Sequence, residues 1–319
     1  MKSAHLEELD KYLRSFKYKC YSFSVETLGE YLPIDAEWNY KDIPHLNHIH
    51  GLVHSGITFA GDHIATSILV QEIMPFLRIP MTLVNYHVSS KKIIYHSQFL
   101  FWIIIIETNF EYRNEIERTG SRTITKYNLY GPRIFRWLCP LFKFFIKRNN
   151  QNLMQDDVPM RERRQTLRKA GYDFLVSKKD YHSYSDTLKL GDSNLIEPDL
   201  TGLIGTFELS DVPVGTRGLL VGDAIGRGFR VVKLQETNVL LVFERVCEHY
   251  GADLSNAKLD QKMLMCPWHG NRLRPIAQIH LAENNSVQGQ RKNFEIKIDG
   301  QTVSIFKTKG GSSDKESEG

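Results

Sequence analysis

The chain has 319 residues, of which 41% are apolar and 24% charged, with a formal net charge of +4 and a pI near 8.7. This is the composition of a globular protein with room for two domains of ordinary size. With no dense Lys/Arg block, so mild a basicity makes no case for a nucleic-acid partner. The charged N-terminus lacks the apolar core of a signal peptide. The longest apolar run, Phe99 to Ile106, is eight residues, where a membrane span needs about 20, so it reads as a buried strand and a cytoplasmic location is expected.

In chain order, Leu6, Leu9, Tyr12 and Leu13 fall at helix-face spacing. A second helical stretch is expected from about Asp35 to His54 and is dense in histidine. Ile64–Val70, Met81–Val88, Phe99–Thr108 and Arg122–Tyr127 read as strands of a meandering antiparallel sheet. From Pro132 a long helix runs to about Ala170, with a break or restart expected at Pro159. Its first part, Arg133 to Arg148, mixes aromatic with basic residues in the manner of a membrane-surface helix; as the closing helix of a domain it is expected to pack its aromatic face into the sheet. Helix, antiparallel strands and closing helix are the order of a helix-grip fold with a cavity between sheet and helix. Residues 172–200 are polar and read as a linker. Short β segments then build a small all-β unit, and the Gly/Ser/Lys/Glu tail is expected to be disordered. The expected class is therefore α+β, divided as a helix-grip domain (1–171), a linker (172–200), an all-β domain (201–307) and a tail (308–319).

The strongest chemical signal lies in the all-β part: Cys247-Glu248-His249, then sixteen residues, then Cys266-Pro267-Trp268-His269. Each half offers one thiolate and one imidazole, as a Rieske cluster needs for its two irons. A Cys2His2 zinc site is the rival, for which Cys-x-His is a poor spacing. With Gly251-Ala252-Asp253-Leu254 and Gly270 behind the two pairs, residues 201–306 resemble a Rieske domain, which implies a 2Fe–2S cluster on Cys247, His249, Cys266 and His269. Cys20 and Cys139 are left as reduced structural thiols.

The histidine-rich stretch, read as Asn39-x2-Asp42-x2-His45-x4-His50, resembles the mononuclear iron motif of Rieske non-haem iron oxygenases. The resemblance implies His45 and His50 as Fe(II) ligands and Asp42 as the residue bridging to a Rieske histidine. In that family the third ligand is a later carboxylate in a segment reading roughly Glu-Asp-x-Pro-x-x-Glu. Here Gln155-Asp156-Asp157-Val158-Pro159-Met160-Arg161-Glu162 places Asp157 at the ligand position and Asp156 where an acid usually stands.

Other readings stay open. Residues five apart on a straight helix differ by about 140°, so His45 and His50 need Pro44 or a π-type widening to share a face. His50 and His54, four apart, would be undistorted neighbours, and His48 is a further candidate. The histidines can also be partly buried polar residues, and Asp156-Asp157 a helix cap. The family's domain order is reversed here.

The resemblance implies an oxygenase component that takes electrons from a separate reductase or ferredoxin, since no nicotinamide or flavin fingerprint is present. It would use O2 on a hydrophobic small molecule beside strands bearing Phe99, Phe101, Trp102 and Ile104, in a homo-oligomer that is a trimer by analogy. The rival function is a non-catalytic Rieske electron carrier fused to a lipid- or hydrophobic-ligand-binding helix-grip module.

Overall fold

The computed structural model describes residues 4–50, 53–74, 77–175, 183–187, 194–198, 201–223, 225, 228–234, 238–281 and 285–308. The tail beyond residue 308, expected to be disordered, lies outside the described residues. Two compact units divide the chain: residues 1–165 with 176–189, and residues 166–175 with 190–319.

The first unit opens with α1 (Ala4–Ser15), β1 (Tyr18–Gly29), α2 (Pro33–Lys41), a 3₁₀ turn (Ile43–His45) and α3 (Leu46–Ile49). Six strands follow: β2 (Val53–Ala60), β3 (Ile64–Met74), β4 (Leu77–Ser89), β5 (Lys92–Phe99), β6 (Trp102–Asn114) and β7 (Thr119–Pro132). A second 3₁₀ turn (Arg133–Leu138) leads into α4 (Cys139–Lys169), and α5 (Tyr184–Thr187) completes the helices. The sheet order is β1-β7-β6-β5-β4-β3-β2, antiparallel throughout. This is the expected meander, with β1 returning to the β7 edge.

Alternation puts every second side chain on the face that meets the helices. There Ile93, Tyr95 and Phe110 pack with Tyr31 and Ala36 and against Val158 of α4. Further along, Phe23, Trp102, Tyr127 and Leu129 meet Phe135, Leu138, Phe142 and Ile146. The architecture is that of a helix-grip fold.

Three expectations are corrected. The helical stretch from Asp35 to His54 is broken and shorter than expected: α2 stops at Lys41, where Pro44 denies the helix an amide donor, a 3₁₀ turn and α3 carry it only to Ile49, and His54 lies on β2. Phe99–Thr108 is not one strand, because Leu100 takes a left-handed φ of 51° and turns β5 into β6. Pro159 does not interrupt α4. An interior proline costs about 3 kcal/mol, and the fully buried Arg161, Arg164 and Leu167 after it anchor the helix through the lost bond.

The second unit holds β8 (Asp173–Phe174) paired with β9 (Leu195–Ile196), then β10 (Gly202–Glu208), β11 (Gly215–Val221), β12 (Phe229–Lys233) and β13 (Val239–Glu244). β14 (Lys258–Asp260), β15 (Met263–Met265), β16 (Arg272–Leu273), β17 (Ala277–His280), β18 (Ser286–Gln288), β19 (Phe294–Asp299) and β20 (Thr302–Lys307) complete it. Sheets β10-β20-β19 and β11-β12-β13-β17-β18 close around Phe207, Val231, Leu240, Val242, Ile279, Val303 and Ile305, and β14-β15-β16 form a third sheet.

The stretch read as a linker is tied down where it is described. Tyr172, Phe174 and Leu195 cluster with Leu167 and Val246, and Tyr184 packs with Ile43 and Ala65. The sequence boundary at 171 thus falls inside a segment that belongs to the second unit.

Arg230 of β12 shows what fixes this unit. Its buried guanidinium donates to the carbonyls of Thr216 and Arg217 (2.6 and 3.2 Å) and of Leu254 and Ala257 (3.1 and 2.6 Å). Arg230→Met would take the guanidinium's hydrogen bonds from those four carbonyls, and we expect thermal unfolding to show a loss of about 3 kcal/mol or more.

Candidate metal centres

In the second unit two loops of matching design present the predicted ligands. The Cys247 amide donates to the Ala252 carbonyl (2.9 Å) and the Gly251 amide back to the Cys247 carbonyl (2.8 Å). The Cys266 amide donates to the Asn271 carbonyl and the Gly270 amide to the Cys266 carbonyl, both at 2.8 Å. In each loop the fourth residue after cysteine is a glycine with positive φ, 84° at Gly251 and 68° at Gly270. Each loop therefore turns back under its own sulfur and lifts its histidine beside it.

A Cβ on Gly251 would come within 2.4 Å of Leu167 Cδ1, which is itself fully buried. Gly251→Ala combines left-handed strain with overpacking, so a stability loss of about 2–4 kcal/mol is expected, measured as a lowered melting temperature.

Cys247, His249, Cys266 and His269 are all buried, neither cysteine is in a disulfide, and the two imidazoles lie 4.9 Å apart between ring centroids. The Cys247–Cys266 contact draws the Cys266 thiol down to about 5, with help from His269, and pushes Cys247 up. The two sulfurs therefore share a site that favours one negative charge over two, and a cationic group between them would favour both as thiolates. Two thiolates and two imidazoles, dry and convergent, fit a 2Fe–2S group.

In the first unit the predicted mononuclear ligands also meet. His45 closes the 3₁₀ turn, and His50 lies just beyond α3 in an extended conformation (φ −95°, ψ 106°). Neither sits inside a regular helix, which is how residues five apart face one point. Asp157 arrives from α4: its Oδ1 is 3.2 Å from His45 Nε2 and 3.0 Å from His50 Nε2. All three residues are buried and their ligand atoms lie within 4.8 Å of one another. Adjacent ligands on bonds of about 2.1 Å stand about 3.0 Å apart, so the observed spacing fits one ion.

The far sides of the rings are fixed too. His45 Nδ1 meets the Asp42 carbonyl, with Asp42 Oδ2 at 3.9 Å, and His50 Nδ1 meets Asp156 Oδ2 at 3.1 Å. An acceptor behind each Nδ1 sets the tautomer that frees Nε2 for a metal. Burial would lower the His50 pKa, but hydrogen bonds to Asp157 and Asp156 outweigh it and leave it raised. Burial likewise opposes ionisation of Asp157, yet His45, His50 and Arg161 together hold its carboxyl well below the usual range.

The alignment of α4 with α2 comes from two buried arginines. Arg161 donates to Asn39 Oδ1 from Nε (2.9 Å) and Nη2 (2.6 Å), to the Tyr31 hydroxyl (3.2 Å) and to Asp157 Oδ2 (3.4 Å). Arg164 Nε donates to Asp35 Oδ1 at 2.8 Å. Asp35 and Asn39 are one turn apart on α2, so the pair of contacts sets the register that brings Asp157 to the histidines. Arg161 was not among the predicted site residues; its place four residues after Asp157 was the available signal. His48 is exposed on α3 and His54 lies on β2; neither joins the triad.

Comparison with protein families matches residues 206–286 to the Rieske [2Fe-2S] domain, a range that contains Cys247, His249, Cys266 and His269. The chain therefore carries a C-terminal Rieske 2Fe–2S domain. No curated protein matches the chain. Among solved structures, the TTHA0849 protein of Thermus thermophilus is 12% identical with a TM-score of 0.37, over 44% of this chain and 95% of that one. The di-domain ARO/CYC BexL from the BE-7585A biosynthetic pathway is 8% identical with a TM-score of 0.40, over 45% of this chain and 50% of that one. The Zhui aromatase/cyclase from a Streptomyces species is 12% identical with a TM-score of 0.36, over 46% of this chain and 95% of that one. At such scores none of these likenesses bears on activity. Among the described residues no helix is long and apolar enough to cross a membrane.

Proposed function

We propose that this chain is the oxygenase component of a Rieske non-haem iron system that uses O2 to oxidise, most simply to hydroxylate, a hydrophobic organic substrate. When bound, the 2Fe–2S group supplies one-electron transfer and a ferrous ion supplies O2 activation. The observation that carries this reading is the buried meeting of His45, His50 and Asp157, drawn from segments 112 residues apart, in a chain that also holds a Rieske domain.

Cys247, His249, Cys266 and His269 would hold the cluster, and His45, His50 and Asp157 the mononuclear ion. Two imidazoles and one carboxylate are a donor set that would suit a ferrous ion. Asp156 and the Asp42 carbonyl would keep each imidazole aimed, and Arg161 would hold Asp157 in place. Asp42, fully buried beside His45, is the proposed bridge in electron delivery. A separate reductase or ferredoxin is the proposed donor, the proposed compartment is the cytoplasm, and a homo-oligomer is the proposed assembly. A hydrophobic small molecule is the proposed substrate class.

The test is iron and acid-labile sulfide in anaerobically reconstituted protein. About three irons to two sulfides per chain are expected. A ratio of about one to one after ferrous loading would leave the cluster alone and favour an electron carrier joined to a ligand-binding module.

A further inference from the structure

The segment that leads from β7 into α4 is apolar on two sides. Phe135, Leu138, Phe142 and Ile146 pack against the sheet, the aromatic face expected of a closing helix. On the opposite side Ile134 and Trp137 are 74% and 73% exposed, and Leu141 and Phe144 are 49% and 57% exposed. In a 3₁₀ turn residues three apart eclipse, which aligns Ile134 with Trp137. Spacings of four and three along α4 continue the same stripe through Leu141 to Phe144. The β5–β6 turn adds to it: Phe101 stacks on Phe135 with centroids 4.5 Å apart, and neighbouring Leu100 is 70% exposed. A helical segment with apolar side chains facing both the core and the solvent has an unsatisfied face.

Charge says what covers it. Residues 133–155 contain five basic residues, Arg133, Arg136, Lys143, Lys147 and Arg148, and no Asp or Glu. Arg133, Arg136, Lys147 and Arg148 are exposed, while Lys143 is half-buried over the Phe23 ring. Among the described residues none of the five forms an ion pair. An apolar stripe flanked by cations alone, with a tryptophan at its centre, matches a surface that is apolar below and anionic above.

We infer that this face docks the protein on an anionic lipid surface, with Ile134, Trp137, Leu141 and Phe144 entering the acyl boundary and the basic residues meeting headgroup phosphates. The docking is peripheral and is independent of the oxygenase reading. It would give a hydrophobic substrate a route to the protein from the bilayer that dissolves it.

The chain carries its own reporter. It has four tryptophans, and Trp38, Trp102 and Trp268 are buried, so Trp137 is the exposed one. Tryptophan emission and co-sedimentation would be measured with vesicles of phosphatidylcholine, alone or with about one third phosphatidylglycerol. The expected result is sedimentation, a blue shift and quenching by brominated lipid on the anionic vesicles, reversed by about 0.5 M salt. Each basic residue at such a surface is worth about fivefold in partitioning, so Arg136→Glu with Arg148→Glu should weaken binding more than about tenfold. Trp137→Ser with Phe144→Ser should do the same while leaving the cluster spectrum unchanged. The inference fails if anionic vesicles produce no blue shift, or if the charge-reversed protein binds them equally well. It fails also if the emission is already blue-shifted in a concentration-dependent dimer without lipid, which would give the face to a second copy of the chain.

Discussion

Asp157→Ala is expected to abolish substrate oxidation while leaving the absorption and EPR spectra of the cluster intact. Iron should fall from about three to two per chain with sulfide unchanged. Asp157 Oδ1 is the atom that both His45 Nε2 and His50 Nε2 approach. The neighbouring carboxylate cannot substitute, because Asp156 Oδ2 lies behind His50 at its Nδ1. Loss of even a supporting partner weakens metal binding by about 10–100-fold, so loss of a ligand should exceed that. A structural role for Asp157 predicts something else. Removing it takes away one partner of the buried Arg161, so a merely structural residue would show itself as a lower melting temperature with activity per folded molecule preserved. Asp157→Asn separates the two readings: it keeps the volume and a hydrogen-bond acceptor for Arg161 but loses the anionic ligand. If both variants keep wild-type turnover and iron, Asp157 has no part in the site.

The two candidate centres were legible in the sequence to different depths. In the Rieske domain each cysteine lies within three residues of its histidine, so a short motif contains the whole proposed ligand set and even the glycines that turn each loop. The mononuclear triad could be named because its residues follow a spaced pattern, yet its shape could not. A pattern of residue types does not say that α2 ends at Lys41, or that His50 leaves the helix for an extended conformation. Those features come from Pro44 and from packing of the next strand.

Arg161 illustrates the general difficulty. In sequence it is one of several basic residues on α4, and only tertiary structure turns it and Arg164 into the interior while Arg168 stays partly exposed over Phe174. Phe99–Thr108 failed for a similar reason: a run of apolar residues carries no mark of the turn at Leu100, where backbone geometry, not composition, decides.

Cys266→Ser gives the reciprocal of the first result. The variant is expected to lose the cluster and all acid-labile sulfide, yet still take up about one ferrous ion per chain. Cys266 is buried, in contact with Cys247 and His269, and supplies one of the two sulfurs that the cluster would need. A serine hydroxyl in the same buried loop does not ionise near neutral pH and is a poor, hard ligand for iron–sulfide chemistry. His45, His50 and Asp157 belong to the other compact unit, so their affinity for iron should survive. Electron supply does not: turnover with a reductase should vanish, whereas Fe(II) binding by calorimetry should stay within about threefold of wild type, a change under about 1 kcal/mol. Loss of ferrous binding alongside the cluster would contradict two separate centres. Retention of sulfide would remove Cys266 from the cluster. Together with Asp157→Ala the result forms a double dissociation, sulfide lost without the single iron in one variant and the single iron lost without sulfide in the other. A zinc site or an electron carrier without the mononuclear ion cannot produce that pattern.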